Sequence, residues 1–198
     1  AIKGVAPGKA PGLNGIPGEL YRQYTAQMAP LLARVYSAIG ATRQCPRGFL
    51  DGVVIPVLKP GGDPVDVDAY RPIHTVSRTF LYAAADQLGL GDGFVQWMKV
   101  LLTGTYTCAV VNGFRSPFYI CDAGVRQGCP LAPLIYLFAG QALLCHLKER
   151  GIGIDLANMR FTATQYADDV EPLLPDESSV PAFLIDMDVY GDATGQRM

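Results

Sequence analysis

Phe161-Thr162-Ala163-Thr164-Gln165-Tyr166-Ala167-Asp168-Asp169-Val170-Glu171-Pro172-Leu173-Leu174 decides how this chain is read. Two strand-like runs, 161–167 and 170–174, flank a pair of adjacent carboxylates. Asp suits the tip of a tight two-residue turn, so the stretch predicts a β-hairpin with Asp168 and Asp169 at its apex. Like charges held side by side repel, and a divalent cation is the usual remedy. Asp-Asp is also common in plain surface turns, so the rest of the chain has to decide. Pro172 cannot donate a ladder hydrogen bond, which makes the returning strand an edge or a distorted one.

Working outward, 131–150 predicts a long helix whose last turn carries Lys148 and Arg150, with Gly151 as its stop. Before it, Thr107–Val111 and Phe118–Cys121 flank Asn112-Gly113, the signature of another hairpin. Phe94, Trp97, Met98, Leu101 and Leu102 fall on one face of a helix. Val53-Val54-Ile55-Pro56-Val57-Leu58 predicts a short strand, with Pro56 at an edge. Near the start, a loop rich in Gly and Pro leads to a helix opening around Pro17 and Glu19 and stopping at Gly40. Helices mixed with hairpins predict an α+β domain.

Composition limits the options. At 198 residues and 49% hydrophobic, the chain can bury a core. Its five cysteines are scattered, form no CxxC pair and have only His74 and His146 to assist them. That suits reduced thiols in an intracellular protein better than zinc. No apolar run is long enough to span a bilayer, and the first residues lack the apolar segment of a signal peptide, so no membrane partner is expected. The ends, at Ala1 and Met198, read as cut from something longer.

The net charge of −2 does not advertise nucleic-acid binding, but its distribution is uneven. Residues 1–60 hold seven Lys/Arg against Glu19 and Asp51, whereas 161–198 hold eight acids against Arg197. A basic front could hold phosphates and an acidic back could hold cations. Ordinary surface drift gives the same pattern.

The order of motifs resembles the reverse transcriptase domain of non-LTR (LINE-type) retrotransposons. Lys9-Ala10-Pro11-Gly12-Leu13-Asn14-Gly15-Ile16 is similar to the family's K-x-P-G-x-D-G-I, with Asn14 where Asp is usual. Val54 to Gly61, then Tyr70-Arg71-Pro72-Ile73, resembles the fingers segment ending in Y-R-P-I. Gly124-Val125-Arg126-Gln127-Gly128-Cys129-Pro130-Leu131 follows motif B almost residue for residue. Tyr166-Ala167-Asp168-Asp169 resembles motif C, and Tyr190-Gly191-Asp192-Ala193-Thr194-Gly195 the segment leading to motif D.

The resemblance implies a right-hand polymerase fragment, fingers-like over 1–73 and palm-like over 74–198, with an antiparallel palm hairpin and an incomplete palm sheet. It implies that Asp168 and Asp169 are catalytic and hold Mg²⁺. Lys59, Arg71, Gln127 and Gly128 would bind the incoming nucleotide, and Gly124, Arg126 and Tyr166 would touch template and primer. The partners implied are an RNA template, a DNA primer and deoxynucleotides.

One part of the pattern is missing. Motif A supplies a third carboxylate and should lie between Tyr70-Arg71-Pro72-Ile73 and Val111-Asn112-Gly113. The only acids there are Asp86 and Asp92. Thr75–Leu81 resembles the tail of motif A and Leu81–Leu90 the helix after it, so the motif is absent at about His74. The expectation is a defective polymerase fragment with an exposed sheet edge. The alternatives are a nucleic-acid-binding remnant without synthesis, or coding sequence skipped at that point.

Overall fold

The computed structural model describes residues 2–5, 7–8, 11–54, 60–63, 76–111, 113–125, 131–166 and 169–196. The chain is mixed α and β with small sheets, and it divides into two compact units. The first comprises residues 1–72 and 96–122, the second 73–95 and 123–198.

The first unit opens with α1 (Gly18–Gln23) and α2 (Thr25–Thr42), separated by a break at Tyr24. Pro17 caps α1, as expected of a residue with preset φ. Gly40 does not stop α2, which runs on to Thr42 and closes at Arg43, in the left-handed region at φ 56°. Gly40 is needed for packing instead. A Cβ there would sit 3.1 Å from the Trp97 ring, close enough to push it aside. Phe49 and Trp97 both meet the Tyr36 ring, at centroid distances of 6.0 and 6.5 Å.

The strands of this unit form one sheet. β1 (Gly52–Val54) pairs parallel with β2 (Tyr106–Val111) and is an edge among the described residues, as expected, although the rest of the predicted strand, 55–58, lies outside them. The Asn112-Gly113 hairpin forms, with Val111 opposite Phe114. Its return arm is broken into β3 (Phe114–Arg115), which was not foreseen, and β4 (Tyr119–Ile120), which falls within the predicted 118–121 strand. The register explains the break. Val110 faces Arg115 but Thr107 faces Tyr119, so the return arm holds one extra residue, a bulge around Ser116-Pro117. Pro117 has no N–H, and Ser116 Oγ accepts from the Ala109 amide at 2.9 Å.

The second unit is built on α5 (Ala132–Glu149), which matches the predicted helix within a residue at each end. Its inner side buries Ile135, Ala139, Leu143 and Leu147. α3 (Arg78–Gln87) packs against it, capped by Ser77, whose Oγ accepts from the Phe80 amide. α6 (Val180–Thr194), not foreseen from the sequence, supplies Met187 and Tyr190 to the same core. Tyr190 donates to the Ala139 carbonyl at 2.8 Å and meets Phe80 edge-on, and burial raises its pKa above the usual phenol value. Asp186, almost fully buried, accepts from Arg150 Nε at 2.8 Å and lies 3.4 Å from His146 Nε2, which ties α6 to the end of α5. α4 (Gly91–Leu102) contributes its first turn here, where Phe94 meets Phe138, and its remainder to the first unit.

Two hairpins complete the second unit. β5 (Ile154–Leu156) and β6 (Met159–Phe161) turn at Ala157-Asn158, both at positive φ. This turn corrects the sequence reading: Phe161 pairs with Ile154, so the next strand starts only at Ala163. β7 (Ala163–Tyr166) and β8 (Asp169–Pro172) then form the predicted hairpin, with one correction: Asp169 is not in the turn but pairs with Tyr166 as the first residue of β8. No described helix is long and apolar enough to cross a membrane.

Candidate catalytic hairpin

The hairpin closes with Tyr166 opposite Asp169 across a two-residue connection, Ala167-Asp168, which lies outside the described residues. Side chains alternate along both strands. Ala163, Gln165, Val170 and Pro172 turn toward the protein, while Thr164, Asp169 and Glu171 are exposed. Asp169 therefore stands on the solvent face, in register with Tyr166, two residues from Glu171.

Two features seat the hairpin. Val170, partly buried, packs against the cluster formed by Leu143, Leu147, Met187 and Tyr190. Gln165 lies directly over Gly140 of α5, where any Cβ would overlap its amide. A glycine in mid-helix costs roughly 0.5–1 kcal/mol against alanine, and its gain here is close approach of the strand.

Pro172 is accommodated without distortion. Pairing continues to Ala163–Pro172, and the Leu173 amide donates to the Thr162 carbonyl at 2.9 Å. Hydrogen-bonded and non-hydrogen-bonded pairs alternate in an antiparallel ladder, so Pro172 falls in a non-hydrogen-bonded pair. Its missing N–H is on the far side of β8. Among the described residues β7 and β8 pair only with each other.

Mg²⁺ prefers hard oxygen ligands. Hard oxygens of the right kind are present in Asp169 and Glu171. Glu171 is partly engaged, accepting from Thr164 Oγ at 3.2 Å. No group of three His, Cys, Asp or Glu converges among the described residues. The described donors do not by themselves make up a two-ion centre.

Of the other predicted site residues, Gly124 is described and buried, at φ 71°. Its amide donates to Val76, and its carbonyl accepts from the buried Arg78 Nε at 3.1 Å. Arg78 is thus an anchor for the 123–124 segment, a role that its single charge in the sequence did not suggest. The Thr194 carbonyl accepts from the Ser77 amide at 2.6 Å, so the end of α6 meets the start of α3 beside this anchor. Lys59, Arg71, Arg126, Gln127, Gly128 and Asp168 lie outside the described residues, as does the side chain of Tyr166.

No protein-family model matches the chain. A transposon TX1 uncharacterized 149 kDa protein of Xenopus laevis is 26% identical over 136 residues, 68% of this chain. A retrovirus-related Pol polyprotein from the type-1 retrotransposable element R2 of Popillia japonica is 25% identical over 135 residues, also 68% of it. The chain is related to proteins of non-LTR retrotransposons. A retrovirus-related Pol polyprotein from the type-2 retrotransposable element R2DM of Drosophila melanogaster is 27% identical over 105 residues, 53% of this chain. The aligned segment amounts to only 10%, 22% and 10% of those three proteins, respectively.

Proposed function

We propose that the chain is a reverse transcriptase domain of a non-LTR retroelement, RNA-directed by descent and unable to synthesise DNA by itself. The observation that carries this reading is the state of the hairpin: two strands with Asp169 at the closing pair, and no third strand beside them among the described residues. Asp86 and Asp92, the only acids between Ile73 and Val111, are exposed and sit on helices α3 and α4. Neither can stand in for a carboxylate on a neighbouring strand.

The remaining parts keep the roles that the resemblance implies. Asp168 and Asp169 would hold Mg²⁺, which supplies charge neutralisation to phosphoryl transfer when bound. Lys59 and Arg71 would face the triphosphate, Gln127 and Gly128 the nucleotide, and Gly124, Arg126 and Tyr166 the template and primer. A two-ion centre holds its ions about 4 Å apart and needs ligands that bridge them. Two carboxylates leave both positions weak.

Primer extension on an RNA template with Mg²⁺ or Mn²⁺ tests the reading. The expected outcome is no templated product above a D168A/D169A double variant. Robust synthesis by the unmodified chain overturns it. The full-length transcript across His74 shows whether the missing coding segment exists.

A further inference from the structure

A second candidate site lies wholly within the first unit, among residues the polymerase reading leaves unused. We propose that the pocket between the 43–51 segment and the exposed side of α4 binds a nucleoside phosphate, either one unit of a single strand or a free nucleotide. The choice of ligand rests on the nucleic-acid reading above; the pocket itself does not.

The pocket has a volume of about 780 Å³ and is lined by Arg43, Arg47, Asp51, Gln96, Lys99 and Tyr106, among others. Its walls follow from the local fold. Arg43 takes the left-handed conformation at the end of α2 and turns the chain back. Tight turns follow, the Phe49 amide donating to Pro46 and the Asp51 amide to Gly48. Buried Leu50 pins this segment before β1. Across from it, Gln96, Lys99 and Thr103 recur at helical spacing along one side of α4 and its exit. Tyr106, 44% exposed, stands at the start of β2.

The charge is one-sided. Arg43, Arg47 and Lys99 face a single acid, Asp51. Among the described residues neither the Arg43 nor the Arg47 guanidinium has a hydrogen-bond or ion-pair partner. The C-termini of α2 and α4 end here, and their carbonyls favour cations, but that pull is confined to the last turn and screened by salt. It accounts for Lys99 and Arg43 and leaves Arg47 unexplained. Guanidinium groups match phosphate oxygens in a planar fork, an exposed tyrosine ring offers a base a stacking face, and a glutamine amide can pair with a base edge. Such a lining suits a nucleotide better than a small inorganic anion.

The test is fluorescence anisotropy with a labelled oligouridylate, alongside competition by UMP, comparing the unmodified chain with R43N/R47Q. Asparagine tolerates the left-handed position, so the variant should fold. R115E, on exposed β3, is the charge control. The expected result is a tenfold or greater loss of oligouridylate affinity in R43N/R47Q and little loss in R115E. The salt slope should fall by about 1.4 in log–log terms for two lost phosphate contacts. Equal binding by R43N/R47Q and the unmodified chain overturns the pocket while leaving the nucleic-acid reading intact. Binding of UMP but not oligouridylate, abolished in R43N/R47Q, upholds the pocket for a free nucleotide and removes the strand. If the unmodified chain binds neither, the pocket proposal falls.

Discussion

Two of the hairpins with two-residue connections are stabilised in different ways. The one at Asn112-Gly113 belongs to a four-stranded sheet, with β1 alongside and Cys108 fully buried beneath. The one at Ala167-Asp168 has no sheet around it among the described residues. A lone two-stranded hairpin is at best marginal in water. The second one persists because Val170 is sunk into the α5–α6 core and Gln165 lies on bare helix backbone at Gly140. The first is held by backbone pairing and the second by side-chain seating, and mutations can separate the two.

The largest expected effect comes from removing the floor under Val170. Leu147 is fully buried in that cluster. Leu147→Ala should cost about 2–5 kcal/mol, the range for emptying a well-packed leucine site. Hydrogen exchange should show the amides of 163–172 losing protection while those of 106–111 keep theirs. Equal loss in both hairpins would mean that the second does not depend on its seat.

A finer test uses two glycines, one from each unit. Gly40 lies under the rigid Trp97 ring and Gly140 under the flexible end of Gln165. Alanine gains up to about 1 kcal/mol of helix propensity at either site. At Gly40 the indole must shift bodily, so G40A should still be destabilising. At Gly140 the amide can swing aside, which loosens β7 at little global cost. The double variant G140A/Q165A should then be more stable than G140A, with a coupling of about 0.5–3 kcal/mol in a thermal-melt cycle. Additive single effects would remove Gln165 from the seat.

Much of this was legible from the sequence, for identifiable reasons. α5 was clear because its apolar spacing is uninterrupted and Lys148 and Gly151 mark its end. The Asn-Gly turn was clear from its local chemistry, whereas the second hairpin was foreseen one residue out: the connection is Ala167-Asp168, and Asp169 pairs with Tyr166 at the start of β8. The bulge at Ser116-Pro117 was hidden, since an extra residue in one arm shows only against the partner strand. Gly40 was misjudged because a packing glycine and a stop glycine look alike until the indole is seen. α6 was missed because its apolar residues encircle it: Leu184, Ile185 and Val189 are exposed while Asp186 is buried. At the candidate site, the carboxylates were legible, but the anchoring of Gly124 by Arg78 needed a contact across 46 positions.

The smallest effect concerns two exposed carboxylates, again one per unit. Glu19 accepts from the Gly8 amide at 2.6 Å, and this bond holds its pKa below the usual glutamate value. Asp176, just before α6, accepts from Ser178 Oγ at 2.6 Å and Ser179 Oγ at 3.2 Å, and the Ser178 bond is the larger cause of its lowered pKa. A depressed folded pKa means stabilisation that is complete above the ordinary carboxylate range and lost as pH falls through the folded value. Acid should therefore loosen the Gly8–Glu19 contact and the entry to α6 only below the ordinary carboxylate range. Both groups are solvent-exposed, so global melting should barely register the change. Carboxyl carbon shifts followed by NMR should place both midpoints below their ordinary values of 4.5 and 3.8. S178A should move the Asp176 midpoint upward and leave Glu19 unchanged. An Asp176 midpoint at its ordinary value in the unmodified chain would mean that the Ser178 bond is not held in solution, and the entry to α6 would then rest on packing alone.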